Sequence, residues 1–159
     1  MRILVTISMM LIMSFAGSRQ EQHQSSLLQE RAYASVPQAE RESLRNAVQQ
    51  LISLQTAGDW EKIYEILDNQ QGLSRKQFLR EMQGKKLARF APQSITFIPP
   101  EGTWMITGCG LFQPVRRNHR QGVFSSVHAR KVGDGWRLTP VAIVLLNDEP
   151  RGQRPCTLE

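Results

Sequence analysis

The sequence predicts an α+β domain in which three N-terminal helices pack on a curved, four-stranded antiparallel sheet. Three observations predict this class. Apolar residues recur at helical spacing up to Gly84, the spacing changes to every second residue after Pro92, and glycine- and proline-rich turns separate the later segments. Helices that precede a run of strands, instead of alternating with them, are typical of α+β domains.

The first 16 residues, MRILVTISMMLIMSFA, have the pattern of a secretory signal peptide. Arg2 supplies the positive start, an uncharged apolar run follows, and Ser14 and Ala16 are small residues suited to the peptidase subsites. We expect cleavage after Ala16 and a periplasmic or secreted protein. A membrane anchor is the alternative, but a span needs about 20 apolar residues, so no transmembrane segment is expected after cleavage.

The remaining chain divides by composition into three parts. Residues 17–36 are rich in Gln, Ser and Glu and predict a flexible leader. Residues 37–146 carry the periodic apolar segments of the domain, and residues 147–159 form a polar C-terminal tail. The two cysteines, Cys109 in a predicted strand and Cys156 in the tail, predict one disulfide in an oxidising compartment, with two free thiols as the alternative.

Each of the three helices has its own start or stop signal. The first follows Pro37, carries a helical stripe of apolar residues, and ends at Gly58, where glycine can take a left-handed conformation. Asp59 is the predicted N-cap of the second helix. Ser74 and Gln77 are spaced as the capping box of the third. The apolar positions of the helices are Leu44, Val48, Leu51 and Ile52, then Trp60, Ile63, Tyr64 and Leu67, then Phe78, Leu79 and Met82.

Four strands are predicted, namely Ser94–Ile98, Thr103–Phe112, Val123–Val132 and Trp136–Leu146. Gly108 and Gly110 lie within the second strand, where glycine usually marks a bend, a bulge or a close backbone approach, so we expect a curved sheet. Gly133-Asp134-Gly135 predicts a hairpin between the last two strands. Pro140 predicts that the last strand is an edge strand or contains a bulge.

The chain is basic, with a formal net charge of +6 and a pI near 9.9. The charge is uneven, because acidic residues outnumber basic ones between residues 17 and 70 and the basic clusters follow. A basic surface attracts anionic lipid, acidic polysaccharide or nucleic acid. The clusters lack interleaved aromatic residues and the protein is expected to be exported, so nucleic acid is not an expected partner. A solvated basic surface without a partner is the simpler interpretation.

Several of these segments resemble the nuclear transport factor two-like superfamily. They are Asp59-Trp60 through Leu67, Leu73-Ser74-Arg75-Lys76-Gln77-Phe78, and the hairpin Val132-Gly133-Asp134-Gly135-Trp136-Arg137-Leu138. The resemblance implies a cone in which a long helix lies in the concavity of a curved sheet. The superfamily includes ketosteroid isomerases, polyketide cyclases and non-catalytic domains, so the resemblance does not by itself assign an activity.

The four predicted strands contain no Asp or Glu, so the acid–base pair of the isomerases cannot be carried over to any position and no catalytic residue is assigned. Apart from basic residues and Cys109, His128 is the one titratable side chain in these strands. It could bind a ligand or act as a base, with a structural or solvent-facing histidine as the alternative. Alternation places it on the same strand face as Phe124. Tyr64 and Trp104, with Trp60 and Trp136, are further aromatic candidates for a pocket, with core positions as the alternative. No metal-ligand spacing and no cofactor motif is present.

Three functional hypotheses follow. The first is an exported, non-catalytic domain with ligand residues Tyr64, Trp104, Phe124 and His128, which binds a small hydrophobic ligand or a protein. The second is an isomerase- or cyclase-like enzyme that uses His128 with Tyr64 in one cavity. The third is an assembly module that contacts a second copy or an envelope protein through its basic loops and its last strand, where Val141–Leu146 is apolar on both faces.

Overall fold

The computed structural model describes residues 31–113, 122–143, 155–156 and 158. The predicted signal peptide lies outside these residues. In the described part of the chain, three α-helices precede six strands. The helices are α1 (Gln38–Ala57), α2 (Trp60–Ile66) and α3 (Arg75–Met82). The strands are β1 (Lys86–Ile98), β2 (Thr103–Gln113), β3 (Gly122–Val132), β4 (Gly135–Leu138), β5 (Ala142–Ile143) and β6 (Pro155–Cys156). No helix among these residues is long and apolar enough to cross a bilayer.

The helix boundaries lie where the local signals predicted them. Gly58 follows α1 with φ 75°, a left-handed conformation that glycine adopts without strain. The Asp59 side chain accepts a hydrogen bond from the backbone N–H of Lys62. Ser74 and Gln77 form both hydrogen bonds of the capping box at the start of α3. These caps satisfy backbone groups that the short helices would otherwise leave unpaired.

The sheet is antiparallel, with β1, β2, β3 and β4 adjacent in that order. The predicted hairpin is confirmed, since Val132 pairs with Gly135 and leaves Gly133 and Asp134 in the turn. The short strands β5 and β6 also pair with β3, opposite its middle and its beginning. The edge of β3 that faces away from β2 is therefore covered in turn by β4, β5 and β6.

The first strand is longer than predicted, because it starts at Lys86 and not at Ser94. Its pairing with β2 shifts between Leu87 and Arg89 and again between Pro92 and Ser94. Each shift is a bulge that reverses the inward and outward positions, so the period of two is lost over the first half of the strand. β1 lies at the edge of the sheet, where Pro92 is tolerated.

The last predicted strand, Trp136–Leu146, is interrupted. β4 ends at Leu138 and β5 begins at Ala142, with Pro140 between them. Proline has no N–H to donate to a neighbouring strand, so the edge strand is interrupted at this point, as the sequence predicted from Pro140. Residues 144–146 lie outside the described part of the chain.

The core lies between α1 and the sheet. Leu44, Val48 and Leu51 of α1 are fully buried, together with Ile106 and Val127 of the central strands. α1 contacts both β1 and β4, the two ends of the four-strand order, so it lies across the sheet.

The folded domain begins before residue 37, within the segment predicted to be a flexible leader. Ala32, Tyr33 and Val36 are buried, and the Ser35 hydroxyl donates to the Ile95 carbonyl at 3.0 Å. These apolar residues are too few to show a period, so the composition of the leader concealed their role.

The predicted disulfide is confirmed. Cys109 and Cys156 are bonded with a Cα–Cα distance of 5.8 Å. Val123 pairs with Gly110 of β2 on one side and with Pro155 of β6 on the other, so the disulfide joins the two strands that flank β3. A Cβ at Gly122 would collide with the Cys109 Sγ atom, which shows that the disulfide passes directly over this glycine.

Candidate functional site

The candidate site is built around His128 in the middle of β3. Along this strand Ser125, Val127 and Ala129 are fully buried, whereas Phe124, Ser126, His128 and Arg130 are partly exposed. The alternation predicted from the sequence is therefore present, and His128 lies on the less buried face. Partial exposure leaves this side chain accessible to a ligand.

A cavity of about 720 Å³ lies beside His128. Its walls come from the end of α1, the start of α2, the end of α3, and the strands β1, β2, β3 and β5. The lining residues are Gln55, Trp60, Met82, Lys85, Lys86, Phe112, Ser126, His128, Thr139, Pro140, Val141 and Ala142. The surface that these residues present to the cavity is mostly apolar, and two lysines are the cationic residues of the set. We call it the apolar cavity.

The interrupted edge between β4 and β5 shapes one wall of the apolar cavity. Thr139 N–H donates to the His128 carbonyl at 2.9 Å, and His128 N–H donates to the Thr139 hydroxyl at 2.9 Å. Two residues later, Val141 N–H donates to Gln55 Oε1 at 2.8 Å, and Gln55 Nε2 donates to the Val141 carbonyl at 3.0 Å. The side chains of Thr139 and Gln55 thus supply hydrogen bonds where strand pairing is missing beside Pro140.

A second cavity of about 460 Å³ adjoins the apolar cavity. It shares Met82, His128, Thr139 and Pro140 with the apolar cavity. Its further lining residues include the polar side chains of Asp68, Asn69, Gln70, Gln71, Glu81, Glu101 and Thr103. We call it the acidic cavity because three carboxylates line it.

Asp68, in the acidic cavity, is held in an ion pair. Arg130 Nη2 lies 2.5 Å from Asp68 Oδ1 and Arg130 Nε donates to Oδ2 at 3.1 Å, while only 4% of the Asp68 side chain is exposed. The hydrogen bonds from Arg130, followed by one from Gln70, hold the pKa of Asp68 below its ordinary value. Asp68 is consequently an anion at neutral pH and a poor proton acceptor.

Of the four predicted ligand residues, only His128 lines these two cavities. The Tyr64 hydroxyl donates to the Leu73 carbonyl at 2.9 Å, and its ring packs on Phe78. Trp104 packs on Phe97 with ring centroids 4.8 Å apart. Neither of these aromatic residues, nor Phe124, is among the lining residues of either cavity. The structure therefore does not bring His128 and Tyr64 together in the apolar or the acidic cavity.

Sequence reasoning missed most of the site. Trp60 was a candidate for a pocket, and it does line the apolar cavity, but Gln55, Lys86 and Val141 were not singled out as site residues. The carboxylates of the acidic cavity were also missed, because they come from a helix, a helix end and a turn and not from the strands. The signal that could have indicated the site is Pro140, which predicted an irregular edge beside His128.

Within the described part of the chain, no group of three or more His, Cys, Asp or Glu side chains is placed to hold a metal ion. The candidate site thus consists of a histidine between an apolar and an acidic cavity. No family model, curated protein or solved structure matches this chain.

Proposed function

We propose that this chain is an exported, non-catalytic binding domain that holds a small, mostly apolar ligand in the apolar cavity. The observation that carries the proposal is the cavity itself. Its volume of about 720 Å³ is in the range typical of small-molecule sites, and its walls are apolar with a few polar groups. Such a lining favours a ligand that gains free energy mainly by leaving water.

Binding without catalysis is favoured by the chemistry of the lining. No Asp or Glu is among the residues that line the apolar cavity. Among its described lining residues, His128 carries the one imidazole, the side chain that most often acts as a general acid or base. General acid–base catalysis on an apolar ligand usually needs a second, suitably placed acid or base, and the described lining offers only lysines for this role.

Two coarser observations support the fold and compartment in this proposal. Three helices before an antiparallel sheet, with α1 lying across the sheet, fit the nuclear transport factor two-like cone. The Cys109–Cys156 disulfide is consistent with a secreted or periplasmic protein, because such bonds persist in oxidising compartments. Both the superfamily and the export remain part of the proposal.

The isomerase- or cyclase-like enzyme is the second candidate, and one observation favours it. The acidic cavity brings His128 together with Asp68, Glu81 and Glu101 in one lining. Asp68 is neutralised by Arg130, which leaves the two glutamates as the bases that such an enzyme would use. Association through Val141–Leu146 stays a separate prediction. Val141 is already buried within the chain, which removes its side chain from such a contact.

Ligand binding is tested with decanol as an uncharged apolar probe. Ala142 lies at the exposed side of the apolar cavity, so Ala142→Trp should fill its opening and abolish binding measured by calorimetry. Ala39→Trp, at an exposed position of α1 that lines neither cavity, is the control and should bind like the wild type. Failure of the wild type to bind decanol, or binding unaffected by Ala142→Trp, would contradict the proposal.

Catalysis is tested with a different set of compounds. Mass spectrometry of isomerisable ring ketones incubated with the protein should recover them unchanged, with no solvent deuterium incorporated. Deuterium uptake that His128→Leu abolishes would instead support the enzyme.

A further inference from the structure

Two adjacent lysines stand at the rim of the apolar cavity. Lys85 and Lys86 both line it and are exposed to solvent, whereas Gln55 and Val141 at its inner end are only 3% exposed. No carboxylate within the described part of the chain forms an ion pair with either lysine. The cavity thus runs from a buried inner end to a cationic rim.

The side chain of Lys86 lies against the end of α1. A Cβ at Gly58 would lie 3.1 Å from Lys86 Cε, so the lysine side chain passes over the residue that ends the helix. The carbonyl groups at a helix C-terminus carry partial negative charge and favour a nearby cation. The end of α1 thus favours the charge of Lys86 where no carboxylate of the described residues pairs with it.

The neighbouring acidic cavity has the opposite charge. Glu81 and Glu101 line it beside Asp68, whose charge is paired with Arg130, and it shares His128 with the apolar cavity. An anionic group would be repelled from that cavity and attracted to the two lysines. The two cavities together therefore define one orientation for a ligand that carries a negative charge.

We infer that the ligand of the apolar cavity is a single-chain amphiphile with a carboxylate head, its chain beside Trp60, Phe112 and Val141 and its carboxylate at Lys85 and Lys86. This inference rests on the proposed function, because it assigns a ligand class to the same cavity. The burial of each additional CH₂ group strengthens binding by about fourfold until the cavity is filled. The two lysines add a preference for the anion over an uncharged head group of the same chain length.

The experiment compares decanoate, decanol and decylammonium by calorimetry at neutral pH and low ionic strength. Decanoate is expected to bind about tenfold more tightly than decanol, and decylammonium more weakly than decanol. In the variant Lys85→Gln/Lys86→Gln, decanoate should bind no more tightly than decanol. The control Lys76→Gln/Arg89→Gln removes the same charge from exposed positions that line neither cavity, and should keep the preference.

The outcomes separate the two proposals. The carboxylate assignment is wrong if decanol binds and decanoate binds no more tightly. It is also wrong if Lys76→Gln/Arg89→Gln loses the preference for decanoate as fully as Lys85→Gln/Lys86→Gln does. In both cases the apolar binding site stands. If neither probe binds the wild type, the proposed function fails as well. A series from octanoate to dodecanoate in which affinity does not rise with chain length would also overturn the inference. Thermal unfolding of each variant confirms that it is folded.

Discussion

The side chain of Gln55 and the backbone of Val141 are joined by two hydrogen bonds, one in each direction. Both residues are only 3% exposed, and 86 positions separate them in the chain. The amide of Gln55 satisfies the N–H and the carbonyl that have no strand partner beside Pro140. One side chain of α1 therefore holds the interrupted sheet edge in the position that forms the wall of the apolar cavity.

Replacing Gln55 by Met should be strongly destabilising. Methionine keeps the volume but leaves the buried N–H and carbonyl of Val141 without partners, at an expected total cost of about 2–4 kcal/mol. Urea unfolding measures the loss. Gln49→Met, at an exposed position of the same helix, should change stability by less than about 0.5 kcal/mol. Equal effects of the two substitutions would show that the bonds to Val141 contribute little.

Removal of the disulfide should lower the free energy of unfolding by about 4 kcal/mol in the chain-entropy model, because Cys109 and Cys156 are 47 residues apart. The variant Cys109→Ala/Cys156→Ala, unfolded in urea, measures this change. The apolar cavity has no lining residue in β6, so decanol binding to the folded variant should be retained. Unchanged stability would mean that the disulfide contributes nothing to the stability of the fold.

Gly122→Ala tests whether the disulfide lies over β3. A methyl group there would meet Cys109 Sγ, so we expect a loss of about 1–3 kcal/mol in the wild type. In the Cys109→Ala/Cys156→Ala background the same substitution should cost much less. Gly135→Ala, where the nearest atom is Val132 O at 3.9 Å, is the control for loss of a strand glycine. Equal costs of Gly122→Ala in both backgrounds would rule out the contact.

The pair of Asp68 and Arg130 predicts a specific dependence of stability on pH. The pKa of Asp68 is lowered in the folded protein from its ordinary value of 3.8. Between the two values the unfolded chain binds more protons, so the pair stabilises the fold fully above pH 3.8 and loses its effect as the pH falls through the lowered pKa.

Asp68→Asn should therefore destabilise the protein at pH 7, by less than Gln55→Met because the Arg130 side chain is 37% exposed. Urea unfolding at pH 7 and at pH 2 compares the variant with the wild type. The difference should shrink at pH 2, because the unfolded chain takes up a proton at Asp68 before the folded protein does and the pair loses its stabilising effect. A difference that is the same at both pH values would show that Asp68 acts through packing and not through its charge.

The parts of the fold that the sequence predicted are those decided by near neighbours. The capping box joins Ser74 to Gln77, three residues away, and the hairpin depends on two turn residues. Each signal lies within a few positions and involves residue types with few other roles. The disulfide was also predictable, because the chain contains only two cysteines.

The parts that were missed depend on contacts between distant segments. The bulges in β1 are set by its register with β2, and they hid the first half of the strand from a search for alternation. The two bonds between Gln55 and Val141, and the pair of Asp68 with Arg130 across 62 residues, have no local signature. The cavities exist only where α1, α2, α3 and the sheet edge meet, so their lining could not be read from any one segment.

The most direct test of ligand binding in the apolar cavity uses the indole N–H signals of the three tryptophans in an NMR titration with decanol. Trp60 lines the cavity, whereas Trp104 packs on Phe97 and the Trp136 indole donates to Ser43 at 3.1 Å. The signal of Trp60, assigned with Trp60→Phe, should shift and saturate while the other two stay unchanged. Saturable binding that leaves the Trp60 signal in place would contradict the account.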